Sequence, residues 1–224
     1  KLENGYKGYR QYLNENLPKM LKEKELIVLY GKTGSGKTNI LQEIKQKGYD
    51  VLDLEKCANH RGSLLGGIGL GGDATQKNFE AYVMDSILKS KSDVIFTEGE
   101  SKRIGSVVMP NYLFEEVFNA RKFFIETDMD KRVEIIREEY LKESYDENEI
   151  FEALEKLGRY IGEKRKNEYI EELKNKEFDK VIKDLMENYY DNAYKTKSHT
   201  FERTFHNADE KKCAEDIIKY VFGI

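Results

Sequence analysis

Five branched and aromatic residues, Leu26-Ile27-Val28-Leu29-Tyr30, run directly into Gly31-Lys32-Thr33-Gly34-Ser35-Gly36-Lys37-Thr38. The apolar run predicts a strand buried on both faces of a parallel sheet. The eight residues after it fit the phosphate-loop pattern in full, and a helix is expected from Asn39 to Lys47. Strand, glycine-rich turn and helix in that order require a layered α/β architecture.

The residue types follow from the chemistry. Gly31, Gly34 and Gly36 allow backbone conformations closed to other residues, so successive N–H groups, with Thr33 and Ser35 between them, converge on one concavity at a helix N-terminus and bind an anion. Lys37 adds a mobile positive charge, and the Thr38 hydroxyl is suited to a magnesium ion that bridges two phosphates. The loop does not identify what the phosphates are attached to.

Downstream, a second strand is expected over Tyr49 to Leu54 and a third over Asp93 to Glu98. They bring Asp53, Glu55, Glu98 and Glu100 to the sheet edge where α/β folds place ligands, and Asp53 and Glu98 compete for the magnesium role. Between them, Ala58-Asn59-His60-Arg61-Gly62-Ser63 precedes Gly66, Gly67, Gly69, Gly71 and Gly72, a cluster that reads as a mobile loop with a polar, cationic front. His60, Arg61 and Ser63 are candidate substrate contacts there, as are Glu100, Ser101 and Arg103 after the third strand; a surface turn and a surface ion pair are the competing readings. Helices are expected at Gly5 to Lys24, Asp73 to Lys89 and Leu113 to Ala120, with a fourth strand at Lys122 to Glu126.

From there the chain turns helical: Asp130 to Leu141, Glu147 to Leu157, and a long amphipathic stretch from Glu163 to Tyr190. A late strand from Thr200 to Phe205 and a helix from Ala208 to Phe222 close the chain. The expected organisation is a P-loop NTPase-like parallel sheet flanked by helices over residues 1–128, a helical subdomain over 129–195 and a return to the core over 196–224. Lys156, Arg159, Lys164, Arg165 and Lys166 form a basic cluster that is either an RNA-backbone contact or a solvated face balanced by neighbouring glutamates.

Composition narrows the rest. No apolar run approaches the roughly 20 residues a membrane helix needs, and with 36% charged residues and 12% aromatic the chain fits neither a membrane protein nor a disordered one. The two cysteines, Cys57 and Cys213, are too few for a disulfide framework and lack zinc-site spacing. A cytoplasmic location, no membrane partner and no DNA partner are expected, and a net charge of -4 argues against general affinity for nucleic acid without excluding a local basic face.

Taken in order, Gly5-Tyr6-Lys7 with Tyr9-Arg10, the loop Gly31 to Thr38, Asp53-Leu54-Glu55, Ala58 to Ser63, Gln76 with Phe79-Glu80, Glu98-Gly99-Glu100-Ser101 with Ile104-Gly105, and Tyr189-Tyr190-Asp191 resemble the C-terminal P-loop domain of the tRNA 2-selenouridine synthases. The resemblance implies a transferase that acts on the wobble 2-thiouridine of tRNA. It would geranylate the sulfur from geranyl diphosphate and then replace it with selenium from selenophosphate. On that reading Lys37, the loop amides and Thr38 hold the diphosphate leaving group, Arg61 and Arg103 are further phosphate contacts, Glu98 serves the chemistry or its magnesium, and ATP or GTP is not required. The family's N-terminal rhodanese-like domain has no counterpart in this sequence, so either a separate rhodanese-like partner is expected or the chain is a fragment of a longer protein, and Cys57 does not match its reactive cysteine. Two other readings stay open: a small-molecule or nucleotide kinase using ATP with magnesium, and a non-catalytic, nucleotide-dependent tRNA-binding module.

Overall fold

The computed structural model describes residues 5–63, 65–141, 146–194 and 199–224. The side chain of Tyr6 and the expected boundary between 195 and 196 lie outside the described residues. Helix α1 (Gly5–Lys22) precedes β1 (Glu25–Tyr30), α2 (Lys37–Gln46), β2 (Asp50–Leu52), α3 (Leu54–Ala58), α4 (Gln76–Lys89) and β3 (Val94–Glu98). A short antiparallel hairpin of β4 (Arg103–Ile104) and β5 (Val107–Val108) leads to α5 (Asn111–Asn119) and β6 (Arg121–Glu126). The chain continues through α6 (Met129–Tyr140), α7 (Glu147–Ile161), α8 (Glu163–Lys174) and α9 (Phe178–Leu185). A π-helical turn, Met186–Tyr190, then joins α9 to α10 (Asp191–Ala193), and β7 (Arg203–His206) and α11 (Glu210–Phe222) follow.

Five strands form one parallel sheet in the order β2-β3-β1-β6-β7, with β1 at its centre. The alternation along β1 explains the uninterrupted apolar run. Leu26, Val28 and Tyr30 join one core cluster with Leu13, Leu17 and Leu21 of α1, Phe79 and Val83 of α4 and Leu113 of α5. Ile27 and Leu29 join the opposite cluster with Ile40, Leu41 and Ile44 of α2 and Ile217 of α11. A strand that serves two cores has no polar face, and the phosphate loop leaves its C-terminal end.

A third cluster, Leu154, Leu157, Tyr169, Val181 and Leu185, is built by α7, α8 and α9. The single helix expected from Glu163 to Tyr190 is broken: α8 ends at Lys174, and Lys176 takes a φ of 62°, a left-handed conformation that ends a right-handed helix. That turn folds α9 back so that Val181 and Leu185 meet Leu154 and Leu157. Two further elements went unforeseen. The expected strand to Leu54 stops at Leu52 because Asp53 caps α3, accepting a hydrogen bond from the Lys56 N–H at 2.8 Å. The β4–β5 hairpin has only two residues per strand, too few for an alternation to show.

Candidate functional site

The loop conformation is fixed from beneath. Gly34 and Gly36 have φ of 75° and 80°, and a Cβ at Gly34 would sit 2.9 Å from the Arg132 carbonyl oxygen. At Gly36 it would lie 2.7 Å from Asn207 Nδ2. The Ser35 carbonyl accepts from Thr127 Oγ1 at 2.9 Å and from Asn207 Nδ2 at 3.0 Å, which ties the loop to the ends of β6 and β7. Arg132 of α6, buried at 4% side-chain exposure, donates from Nε to the Thr33 carbonyl at 2.9 Å.

With the loop so held, its functional groups are partnered internally. The Lys37 ammonium donates to the Gly31 carbonyl at 2.9 Å. Thr38 Oγ1 donates to Glu55 Oε2 at 3.0 Å. Glu98, fully buried, accepts from the Glu55 N–H at 2.7 Å through Oε1, while its Oε2 has no hydrogen-bond partner. A Cβ at Gly62 would lie 2.5 Å from Glu100 Oε2 and 2.9 Å from Glu55 Oε1, so glycine there leaves room for two adjacent carboxyls. Burial and the neighbouring Glu55 push the Glu100 carboxyl up to about 8. Burial, then the charges of Asp53 and Glu55, push Glu98 well above the carboxylate range, and Glu55 is raised chiefly by burial. Carboxyls crowded beside Lys37 and Thr38 favour protons or a cation.

Among the expected magnesium residues, Thr38 and Glu98 lie at this cluster, whereas the Asp53 side chain is spent on capping α3. Glu55 is the carboxylate that faces Thr38. It belongs to the Asp53-Leu54-Glu55 motif expected at the sheet edge, but it is not among the expected magnesium residues, and the helical turn of α3 is what brings it round to Thr38. Thr38 Oγ1, Glu55 Oε2 and the unpartnered Glu98 Oε2 are hard oxygen donors of the kind magnesium takes. Among the described residues no group of three or more His, Cys, Asp or Glu could hold a metal by itself, so an ion here would complete its shell with phosphate oxygens or water.

The segment around His60 differs from a cationic front edge. The His60 ring is buried, with Nδ1 unpartnered, and a Cβ at Gly66 or Gly105 would come within 2.9 or 2.7 Å of it. Burial lowers its pKa, which favours the neutral ring in a packing role. Arg61 turns toward α6, donating to the carbonyls of Ile68 at 2.7 Å and Glu139 at 3.3 Å, with its guanidinium 4.7 Å from the centre of the Tyr140 ring. Ser63 Oγ lies 3.2 Å from the Tyr140 hydroxyl. Ser101 and Arg103 are exposed on the hairpin, where Ser101 Oγ donates to the Arg103 carbonyl.

The basic cluster separates. Lys166 is buried between Glu155 and Glu163, both at 2.7 Å, and Arg165 is paired with Glu168 and Asp184. Lys156 and Arg159 on α7 are exposed. Cys57 and Cys213 are buried thiols pushed up to about 12, chiefly by burial, which fits an inert cysteine. Among the described residues no helix is long and apolar enough to cross a membrane.

Sequence reasoning missed one further part of the site. Asp191 receives both terminal nitrogens of Arg132, at 2.9 and 2.7 Å, and the Lys32 ammonium at 2.9 Å. Three residues on, the Tyr194 hydroxyl accepts from the Gly31 N–H at 3.0 Å. The end of the helical segment is thereby latched onto the phosphate loop.

Comparison with known proteins follows the same lines. A tRNA 2-selenouridine synthase from Nitrosomonas eutropha is 36% identical over 141 residues, which cover 61% of this chain and 36% of that protein. Another, from Hydrogenovibrio crunogenus, is 30% identical over 221 residues, covering 87% of this chain and 60% of its own. The chain thus spans between 36% and 60% of these two curated relatives. Solved structures are more distant: a shikimate kinase from Acinetobacter baumannii aligns over 92% of this chain and 97% of its own at 12% identity and a TM-score of 0.37, too remote to carry chemistry across. The sequence model described as the tRNA 2-selenouridine synthase AAA domain matches residues 24–221, and the chain belongs to that family.

Proposed function

We propose that this chain is the phosphate-binding part of a tRNA 2-selenouridine synthase. In this reading it holds geranyl diphosphate on the loop Gly31 to Thr38 while the sulfur of a wobble 2-thiouridine attacks the allylic carbon. The observation that carries the reading is the arrangement of Lys37 and Thr38 at the N-terminus of α2, on a loop locked by Thr127, Asn207 and Arg132. Such a site offers fixed N–H groups and one movable cation to a diphosphate.

The first step forms a carbon–sulfur bond and breaks the carbon–oxygen bond, whose electron pair leaves with the diphosphate. Lys37 moves from the Gly31 carbonyl to the leaving oxygen, and the loop amides meet the charge that develops there. Alkylation of a neutral thiouridine also releases its N3 proton. The Glu100 carboxyl, pushed up to about 8 by burial and Glu55, holds a proton at neutral pH and has the basicity to accept this one only in its ionised form, so the step should speed up as pH rises toward 8. Magnesium, when bound by Thr38 and Glu55, would supply further charge neutralisation at the diphosphate. Glu98 orients the Glu55 backbone and acts as a positioning residue.

In the second step the selenium of selenophosphate forms a bond to C2 of the base, the C2–S bond breaks and geranylthiol leaves, and water then cleaves the selenium–phosphorus bond to release phosphate. Arg103, exposed on its hairpin, is available to a phosphate or to the tRNA backbone, and Lys156 and Arg159 offer exposed charge on α7. A separate rhodanese-like partner belongs to the proposal for the full reaction. The test is mass spectrometry of wobble nucleosides after incubation of the protein with 2-thiouridine tRNA and magnesium, with geranyl diphosphate or with ATP. Geranylated 2-thiouridine in the first sample alone is the expected outcome. An ATP-dependent product, or ATP consumed with a small acceptor and no tRNA, would replace this reading with a kinase.

A further inference from the structure

Helices α6 to α9, with Leu65 and Ile68, line a half-open cavity of about 80 Å³ whose walls are almost wholly apolar. It is not confined to the helical core. Thr33 of the phosphate loop lines it, with Ser63 and Tyr190 nearby, so the cavity abuts the candidate diphosphate site. Leu173 and Phe178 line it too, and they also line a second, smaller cavity, so apolar space continues past them.

Protein interiors hold few voids larger than a water molecule, and each void weakens the packing around it. Apolar cavities stay dry and admit apolar guests. An apolar cavity that shares a wall with a phosphate loop therefore matches one ligand chemistry: an anionic head joined to a hydrocarbon chain.

We propose that this cavity takes the hydrocarbon chain of the ligand whose diphosphate sits on the loop, with Leu173 and Phe178 governing how far the chain reaches. The inference rests on the reading that the loop binds a prenyl diphosphate, and it adds where the chain goes and what selects its length. The cavity is smaller than the ~150 Å³ that admits benzene, so its wall must yield as the chain enters. Met186, unbranched and adaptable, is the lining side chain suited to that movement.

Calorimetric titration of the full chain, in magnesium, with inorganic diphosphate and with dimethylallyl, geranyl and farnesyl diphosphates tests the assignment. Geranyl diphosphate is expected to bind at least about tenfold more tightly than inorganic diphosphate, with a more negative heat-capacity change. Leu173→Phe, which fills the cavity from a half-buried position, should remove most of that advantage and leave inorganic diphosphate affinity unchanged. Ile150→Phe, at a second half-buried lining position, repeats the test if circular dichroism shows Leu173→Phe to be misfolded.

Equal affinity for geranyl and inorganic diphosphate, retention of the advantage in a folded filled variant, or no binding of any of these ligands would overturn the inference. Chain-dependent affinity with no geranylated tRNA would leave the cavity assignment standing and sink the transferase reading. Geranylated tRNA from a protein indifferent to chain length would do the reverse.

Discussion

Arg132 grips Asp191 through two parallel hydrogen bonds, at 2.9 and 2.7 Å, while its third nitrogen reaches the carbonyl of Thr33 in the phosphate loop. One guanidinium thereby joins α6, the end of the α9 segment and the loop. Since Lys32 also meets Asp191, the helical segment and the loop share a single half-buried carboxylate. Planar two-point recognition of this kind suits arginine and not lysine.

Loss of one partner should therefore be costly. Arg132→Ala leaves Asp191 without its main counter-charge and is expected to lower unfolding stability by about 3 kcal/mol, measured by urea titration. Arg132→Lys should recover only part of the loss, because a single ammonium cannot bridge both carboxylate oxygens and Thr33. Full recovery by lysine would show that charge alone matters.

The same pair gives a pH signature. Burial raises the Asp191 carboxyl, but hydrogen bonds from Arg132 and Lys32 outweigh it and hold the group below the ordinary aspartate value. A carboxyl with a depressed folded pKa contributes stability that is present above its unfolded value of about 3.9 and is lost as pH falls through the folded value. The stability gap between wild type and Asp191→Asn should be constant at neutral pH and close in acid below about pH 4. A gap that widens in acid would contradict the assignment.

Loop geometry makes a separate prediction. Gly34→Ala places a side chain at a φ of 75° and 2.9 Å from backbone, so it should cost more than about 1 kcal/mol and reduce diphosphate affinity with it. Lys37→Ala, by contrast, changes a partly exposed side chain whose hydrogen bond goes to the Gly31 carbonyl and whose charge offsets Glu55 and Glu100. It should abolish diphosphate binding while the thermal midpoint moves less than in Gly34→Ala, because both carboxyls can take up protons, as scanning calorimetry and titration on one preparation can establish.

Thiol chemistry checks the interior. Both cysteines are buried with thiols raised to about 12, so neither should react with an aromatic disulfide reagent in the native protein, and both should react in denaturant. Rapid native labelling of Cys57 would place it nearer to chemistry than its packing implies.

Much of this was legible from the chain because its strongest signals are local. The apolar run of β1 and the glycines of the loop specify their own conformations, and the helices around Val83 and Ile217 declare their buried faces by spacing. Glu55 was legible as an acid at the sheet edge, but its turn toward Thr38 was not, because the five-residue α3 begins at Leu54, where strand was expected to end. Arg132 carried no local signal, since a charged residue on a charged helix looks solvated until Asp191 arrives from 59 positions away. The basic residues running from α7 into α8 carried two readings, and balance by glutamates holds for Lys166: Glu163 lies one turn before it on α8, as spacing allows, whereas Glu155 reaches it from α7, which spacing along one helix does not reveal.

The central claim is that the loop holds a diphosphate that departs when thiouridine sulfur is alkylated, and diphosphate release tests it most directly. With geranyl diphosphate and magnesium, wild-type protein should release one inorganic diphosphate per geranyl group transferred, with tRNA bearing 2-thiouridine and not with tRNA bearing uridine, and Lys37→Ala should release none. Release that ignores the thiolation of the tRNA, or that persists in Lys37→Ala, would contradict the account.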